Sequence, residues 1–290
     1  MNAGFAGKFA CRTATGTALA FGRRTHFGMT RQLQQNAPIL WSSLTWEEIA
    51  QLRADGMDAV LLPVGAIEQH GPHLATSVDC VTAEKLAHAV SAETGIPVLP
   101  TQPYGCSLGH SRRWPGTLSL QPQTLIDCIV QVAEWCYSFA FKRLIIINGH
   151  VTNFAPLRCA LEILRSKFDD ILVAIRNVAD VSQRVRAEFF ADAEDWHANA
   201  AETSLMLELA PALVRPERIA DAHDPDRTHG LFFSHPVNHT SRNGVTGHPI
   251  TATAEHGRQL FAMMVEDLAG QLRAALRETP PIGHSYFATV

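Results

Sequence analysis

The sequence predicts an α/β protein, a three-layer α/β/α sandwich built on a mostly parallel central sheet. Three observations carry that expectation. Short runs at Val60–Val64 and Leu144–Ile147, the second rich in β-branched residues, are apolar throughout, as strands buried on both faces are. Longer stretches with helical spacing of apolar residues lie between such runs, and the two patterns alternate along the chain. With 290 residues, 46% of them hydrophobic, the chain can bury a sizeable core as one α/β domain.

The elements follow in order. Residues 1–38 are expected to be a disordered or artefactual leader, and 39–290 a single domain. The stretch from Met1 to about Thr30 contains no acidic residue and is rich in Ala, Gly, Thr, Arg and Phe. A transit peptide, a weak secretory signal or a true start at Met29 are its alternatives. Thr45 and Glu48 form a capping-box pair that opens a helix over Trp46–Ala54. Asp58–Val64 is then the first buried strand. Apolar spacing at Ala83, Leu86, Ala87 and Val90 predicts a helix over Thr82–Thr94, stopped by Gly95-Ile-Pro97, with Val98–Pro100 a short second strand. Gln123–Phe139 is an amphipathic helix, Arg143–Ile147 a central parallel strand, Phe154–Ser166 a helix and Ile171–Ile175 a further strand. Leu205–Leu209 is an apolar helix, and Asp221–Pro249 reads as a loop serving as a subunit interface or a lid.

Composition excludes several function classes. A formal net charge of −4 offers no basic excess for nucleic acid. No apolar run is long enough to cross a bilayer. Six cysteines without CxxC spacing suit reduced, buried thiols in a cytoplasmic protein better than a disulfide framework.

The chemistry concentrates where predicted strands end. The first strand stops at Gly65, and Glu68, His70, His73 and Asp79 follow it closely. Ligands of open α/β sheets sit at the carboxyl ends of strands. Carboxylate and imidazole groups there are the donors that Zn2+, Mn2+ or Fe2+ prefer. A polar surface loop with hydrogen-bonded histidines is the plain alternative. The strand ending at Ile147 runs into Asn148-Gly149-His150, where Gly149 permits a tight turn and His150 is either a ligand or a turn residue. A third cluster, Trp196-His197 with Glu202, opens the helix before Leu205. Glu202 is either a capping carboxylate or a ligand, and His197 a candidate for proton transfer.

Taken together, Gly65-Ala-Ile-Glu68-Gln-His70-Gly71-Pro-His-Leu74 with Asp79, Trp114-Pro-Gly-Thr117, Asn148-Gly-His150 and His197…Glu202-Thr-Ser resemble the creatininase family. Asn243-Gly244-Val-Thr-Gly247 and Glu255-x-Gly257 resemble its late glycine-rich loop and final helix. The similarity runs from about Ile39 to Leu276. It implies a hexameric α/β/α hydrolase of C–N bonds with a divalent metal centre, expected to hold two ions per chain. By that resemblance Glu68, Asp79 and His150 hold one ion and His70, Asp79 and a further carboxylate, Glu202, the second. His197 passes a proton to the leaving nitrogen, with Glu202 beside it in the catalytic set. His110, Trp114, Trp196 and Thr152 are the candidate substrate contacts; the two tryptophans are as readily core residues, and Arg112 and Arg113 as readily solvated as bound to an anion. The resemblance breaks at Thr152, where creatinine-cleaving members carry a metal-ligating Glu. That argues against creatinine itself. The expected activity is hydrolysis of a small cyclic amide. Its alternatives are a formamide hydrolase on a heterocyclic or nucleotide-like substrate, or a catalytically silent ligand-binding relative.

Overall fold

A computed structural model describes residues 37–110, 112–285 and 287. The expected leader lies outside the described residues, apart from Ala37 and Pro38. Helix α1 (Trp46–Ala54) starts at the anticipated capping box, with the Glu48 N–H donating to the Thr45 hydroxyl at 3.3 Å and the Thr45 N–H to Glu48 at 2.8 Å. It leads into β1 (Ala59–Val64), followed by α2 (Val78–Thr94), α3 (Pro122–Ser138), β2 (Arg143–Asn148), α4 (Phe154–Lys167) and β3 (Leu172–Asn177). Beyond the sheet come α5 (Gln183–Phe189), α6 (Ala200–Leu209), the single turn α7 (Val237–Thr240) and α8 (Ala254–Ala275).

β1, β2 and β3 pair in parallel in that order, with Val64 opposite Asn148 and Asn148 opposite Asn177. The three carboxyl ends therefore finish level, and whatever follows them shares one edge. Every residue of β1 is buried. Alternate side chains explain why: Leu61, Ile145 and Ile147 face α2, α5, α6 and α8, whereas Val60, Leu62, Leu144 and Ile146 face α3 and α4. Period-two alternation thus feeds two apolar layers from one strand. Burying each such Leu or Ile contributes about 1.5–3 kcal/mol.

The structure departs from expectation in four places. Val98–Pro100 is not a strand; Val98 and Gln102 make isolated parallel bridges to Leu61 and Val64. Pro97, Pro100 and Pro103 lack the N–H that a continuous ladder needs. α2 begins at Val78 rather than Thr82, so Asp79 sits in a helical first turn rather than in a loop. There the helix dipole favours its negative charge. α5 was not anticipated; its cap is Ser182, whose hydroxyl accepts from the Val185 N–H at 3.3 Å. α6 starts at Ala200, capped by Asn199, and so includes Glu202. Among the described residues no helix is long and apolar enough to cross a membrane.

Candidate metal centre

The carboxyl edge of the sheet is where the chemistry-bearing segments meet. Glu68 and His70 lie on the loop after β1, Asp79 on the first turn of α2, His150 just past β2, and Glu202 on the first turn of α6. All five are buried, none more than 6% exposed. Two asparagines hold the backbone beneath them. Asn148 brackets the turn after β2, donating to the His150 carbonyl at 2.7 Å and accepting from its N–H at 3.3 Å. Asn153 donates to the Gly65 carbonyl at 2.9 Å and accepts from the Cys106 N–H at 2.7 Å, tying that turn to the end of β1. Gly149 is required for a reason other than the tight turn expected: its φ is not in the left-handed range, but a Cβ there would lie 2.2 Å from the Asp79 carbonyl oxygen. The turn carrying His150 is pressed against the turn carrying Asp79.

Side-chain distances follow from that crowding. His150 Nδ1 lies 3.2 Å from Glu68 Oε1 and 3.3 Å from Asp79 Oδ2. His70 Nε2 lies 3.3 Å from Asp79 Oδ1 and 3.7 Å from Glu202 Oε1. Asp79 thus turns one oxygen to each imidazole. His110 Nε2 and His197 Nδ1 approach Glu68 from other sides, at 3.6 and 3.7 Å. Ligand atoms of His70, Asp79 and Glu202 fall within 4.8 Å of one another, as do those of Glu68, His110 and His150, and of Glu68, His70 and His197.

Electrostatics express the same crowding. Burial pushes the Glu68 carboxyl up, but the imidazoles of His150, His110 and His197 overcome it and hold the group well below the usual carboxylate range. Burial and then the charge of Glu68 lift Asp79 to about 6. Burial works to lower His150, yet Glu68 and Asp79 raise it to about 9; His70 is likewise raised, against burial, by Asp79 and Glu202. His197 is pushed down to about 4 by burial and then by His70. His110 is also held well below the usual imidazole range, by burial first.

A divalent cation fits these residues. Both oxygens of Glu68, Oδ2 of Asp79 and Nε2 of His70 are buried without a hydrogen-bond partner in the protein. Each such orphan costs free energy unless something from outside satisfies it. The other nitrogen of each imidazole is spoken for: His70 Nδ1 faces the Glu68 carbonyl at 3.2 Å, and His150 Nε2 the Cys106 carbonyl at 3.0 Å. A carbonyl only accepts, so those nitrogens carry the protons and leave Nε2 of His70 and Nδ1 of His150 for a ligand. Thr152 sits beside them, its hydroxyl donating to the Cys106 carbonyl and lying in short contact with His150 Nε2.

Above the cluster opens a cavity of about 400 Å3, lined by Glu68, Asp79, His110, His150, Thr152, Trp196, His197 and Glu202 among others. Trp196 reaches it while packing against Phe189 and Phe190, at 5.1 and 5.9 Å between ring centroids, so it is both core and wall. His110, another of the expected contacts, is buried at 8% exposure. Trp114 is the exception among the expected contacts. It does not line the cavity; its ring is half-buried on the loop before α3 with the Arg113 guanidinium 5.0 Å from its centroid. Two groups of lining residues were missed. Ser234, His235, Pro236 and Val237 close one side, from a segment flagged for its histidines as an interface or lid but not as a site. Asp195 lies at the rim, one residue before Trp196.

Buried carboxylate oxygens and an imidazole nitrogen left without hydrogen-bond partners, level with the carboxyl edge of a parallel sheet and beneath a cavity, define a metal-dependent α/β hydrolase. A family model described as creatinine amidohydrolase matches residues 42–272, and the chain belongs to the creatininase family, whose members are hydrolases acting on C–N bonds. The chain is 31% identical to a creatinine amidohydrolase of Pseudomonas putida over 82% of its own length and 96% of that protein's. It is also 31% identical to a mycofactocin precursor peptide peptidase of Mycobacterium tuberculosis, over 72% and 82% of the two chains. Among solved structures, a creatininase mutant of Zn-Zn type superposes with a TM-score of 0.73 at 28% identity, covering 83% of this chain and 99% of that one. A manganese creatininase gives 0.72 at the same identity, covering 83% and 100%.

Proposed function

We propose that the chain hydrolyses the C–N bond of a small, uncharged amide, with Glu68, Asp79 and His150 holding one divalent cation and His70, Asp79 and Glu202 a second. Such cations, when bound, supply Lewis acidity that makes water nucleophilic near neutral pH and polarises an amide carbonyl. The observation that carries the reading is the set of orphaned donors, both Glu68 oxygens, Asp79 Oδ2 and His70 Nε2, gathered under one cavity. The remaining steps belong to the chain itself. His197 is neutral because burial keeps it so, and its Nδ1 faces Glu68. It is placed to take a proton and pass it to the leaving nitrogen, without which an amide nitrogen departs poorly. Trp196, Val151 and Val237 give the cavity apolar wall on which a flat ring can lie.

Substrate charge is the finer point. Among the described residues no Lys or Arg lines the cavity, so apart from the metal centre its wall offers no fixed cation to pair with a phosphate or carboxylate. That favours a neutral cyclic amide over the nucleotide-like alternative. Thr152 argues against creatinine, because its hydroxyl is engaged by the Cys106 carbonyl and His150 and it brings no carboxylate. The decisive experiment loads the protein with Zn2+ or Mn2+, measures bound metal, and screens cyclic amides and formamides for release of amine, ammonia or formate. Close to two equivalents of metal together with turnover of a neutral amide is expected. Metal-free protein and no turnover across the panel would instead indicate a silent relative.

A further inference from the structure

The residue between the two candidate ligands of the first loop has a separate task. Gln69 is 5% exposed, and its side chain reaches away from Glu68 and His70 into the space between His110, His197 and the loop containing Gly244. Its orientation is fixed by unambiguous partners. The Gly71 N–H, which can only donate, lies 2.9 Å from Oε1, and the Gly244 carbonyl, which can only accept, lies 3.0 Å from Nε2. Gly244 has φ +88°, and a Cβ there would fall 1.9 Å from Gln69 Oε1, so the late glycine loop is shaped around this amide.

One amide hydrogen remains, with two imidazole nitrogens in reach: His197 Nε2 at 3.2 Å and His110 Nδ1 at 3.4 Å. His197 Nε2 also lies 2.8 Å from the Gln69 main-chain carbonyl. A bare nitrogen and a carbonyl oxygen would repel at that distance, so the His197 proton is on Nε2 and that atom cannot accept. The spare amide hydrogen therefore goes to His110 Nδ1. Neutral His110 then carries its proton on Nε2, the atom 3.6 Å from Glu68 Oε2, while neutral His197 presents a bare Nδ1 3.7 Å from Glu68 Oε1.

We propose that Gln69 is a positioning residue that sets both cavity histidines in the Nε2–H tautomer while they turn opposite ring edges to Glu68, its main-chain carbonyl fixing His197 as the proton acceptor through Nδ1 and its side-chain amide fixing His110 as an N–H donor facing the same carboxylate. This rests on the hydrolase reading only for its use. In the reaction His197 receives a proton, while the His110 N–H donates a hydrogen bond to an oxygen of the bound amide without giving its proton up.

The test is imidazole 15N NMR of the zinc-loaded protein, which needs no substrate. His110 is expected to show a protonated Nε2 and an acceptor Nδ1, and His197 a protonated Nε2 and a bare Nδ1. Gln69→Met, similar in length but unable to hydrogen-bond, should free the His110 tautomer and lower kcat by about 10–100-fold with KM little changed and zinc content intact. Gln69→Glu, which can only accept, should move the His110 proton to Nδ1. A wild-type spectrum with His110 Nε2 unprotonated, or a Gln69→Met protein with unaltered His110 signals and turnover, would overturn the assignment. If the spectra behave as expected and no amide is hydrolysed, the hydrolase reading fails and the role of Gln69 in setting the tautomers stands.

Discussion

Replacing Gly149 by alanine is the sharpest mechanical test of how the centre is built. The new Cβ would meet Asp79 backbone atoms at 2.2, 2.9 and 3.1 Å, where ordinary contact begins at 3.4 Å. Something must move by about 1.2 Å, and because the obstacle is main chain no flexible side chain can absorb it. The turn after β2 carries His150 and the first turn of α2 carries Asp79, so the strain separates two members of the cluster. Overpacking of this kind costs about 1–3 kcal/mol. For a domain of this size that lowers Tm by about 2–12 °C. A displacement of about 1 Å within a catalytic constellation costs on the order of 100-fold in rate. The assay pairs thermal unfolding of the metal-free protein with zinc affinity measured by chelator competition, and weaker zinc binding is expected alongside the lower Tm. A Gly149→Ala protein with wild-type Tm and wild-type zinc affinity would refute the claim that close approach at this glycine sets the distance between Asp79 and His150.

Three further outcomes are expected. His197→Ala should keep its metal and lose turnover by about 100- to 10,000-fold, the usual worth of positioned proton transfer; unchanged kcat would remove His197 from that step. Thr152→Val deletes the hydroxyl shared by the Cys106 carbonyl and His150 and should weaken metal binding by about 10-fold, read by calorimetric titration, with equal affinity counting against the hydroxyl as a support for His150. His73, buried and donating or accepting at the Thr203 hydroxyl 2.8 Å away, is pushed down from 6.5 to about 4 by burial first, then by His70. The unfolded chain therefore takes up this proton before the folded one does. Stability is complete above pH 6.5 and drains as pH falls toward 4, by at most about 3 kcal/mol. Urea unfolding of metal-free protein at pH 7 and pH 4.5 should show that loss shrinking in His73→Gln, and an identical pH dependence in the two proteins would exclude the imidazole as its source.

Much of the fold was legible because its signals are local. Unbroken apolar runs at 60–64 and 144–147 mark strands covered on both faces, and Thr45 with Glu48 spells out the start of α1 within four residues. Val98–Pro100 failed as a strand for an equally local reason, the missing proline N–H groups, which hydrophobicity alone does not register. The start of α2 was set four residues late because Val78 and Asp79 join the helix through its first turn, where polar side chains are as common as in loops.

The sequence by itself determined the layers of the fold and the chemical types at the carboxyl edge, since strand periodicity and the placement of Glu68, His70, Asp79, His150 and Glu202 after apolar runs are properties of neighbouring residues. Tertiary structure alone decided which of them face one another and what walls the cavity. Trp114 falls outside it and Ser234 to Val237 within it, because contact across a hundred residues of chain depends on how helices pack and not on any nearby residue. The same holds for Gln69 and Gly149: one is an ordinary glutamine and the other an ordinary glycine until the Gly244 loop, His110 and α2 are brought within a few ångströms of them.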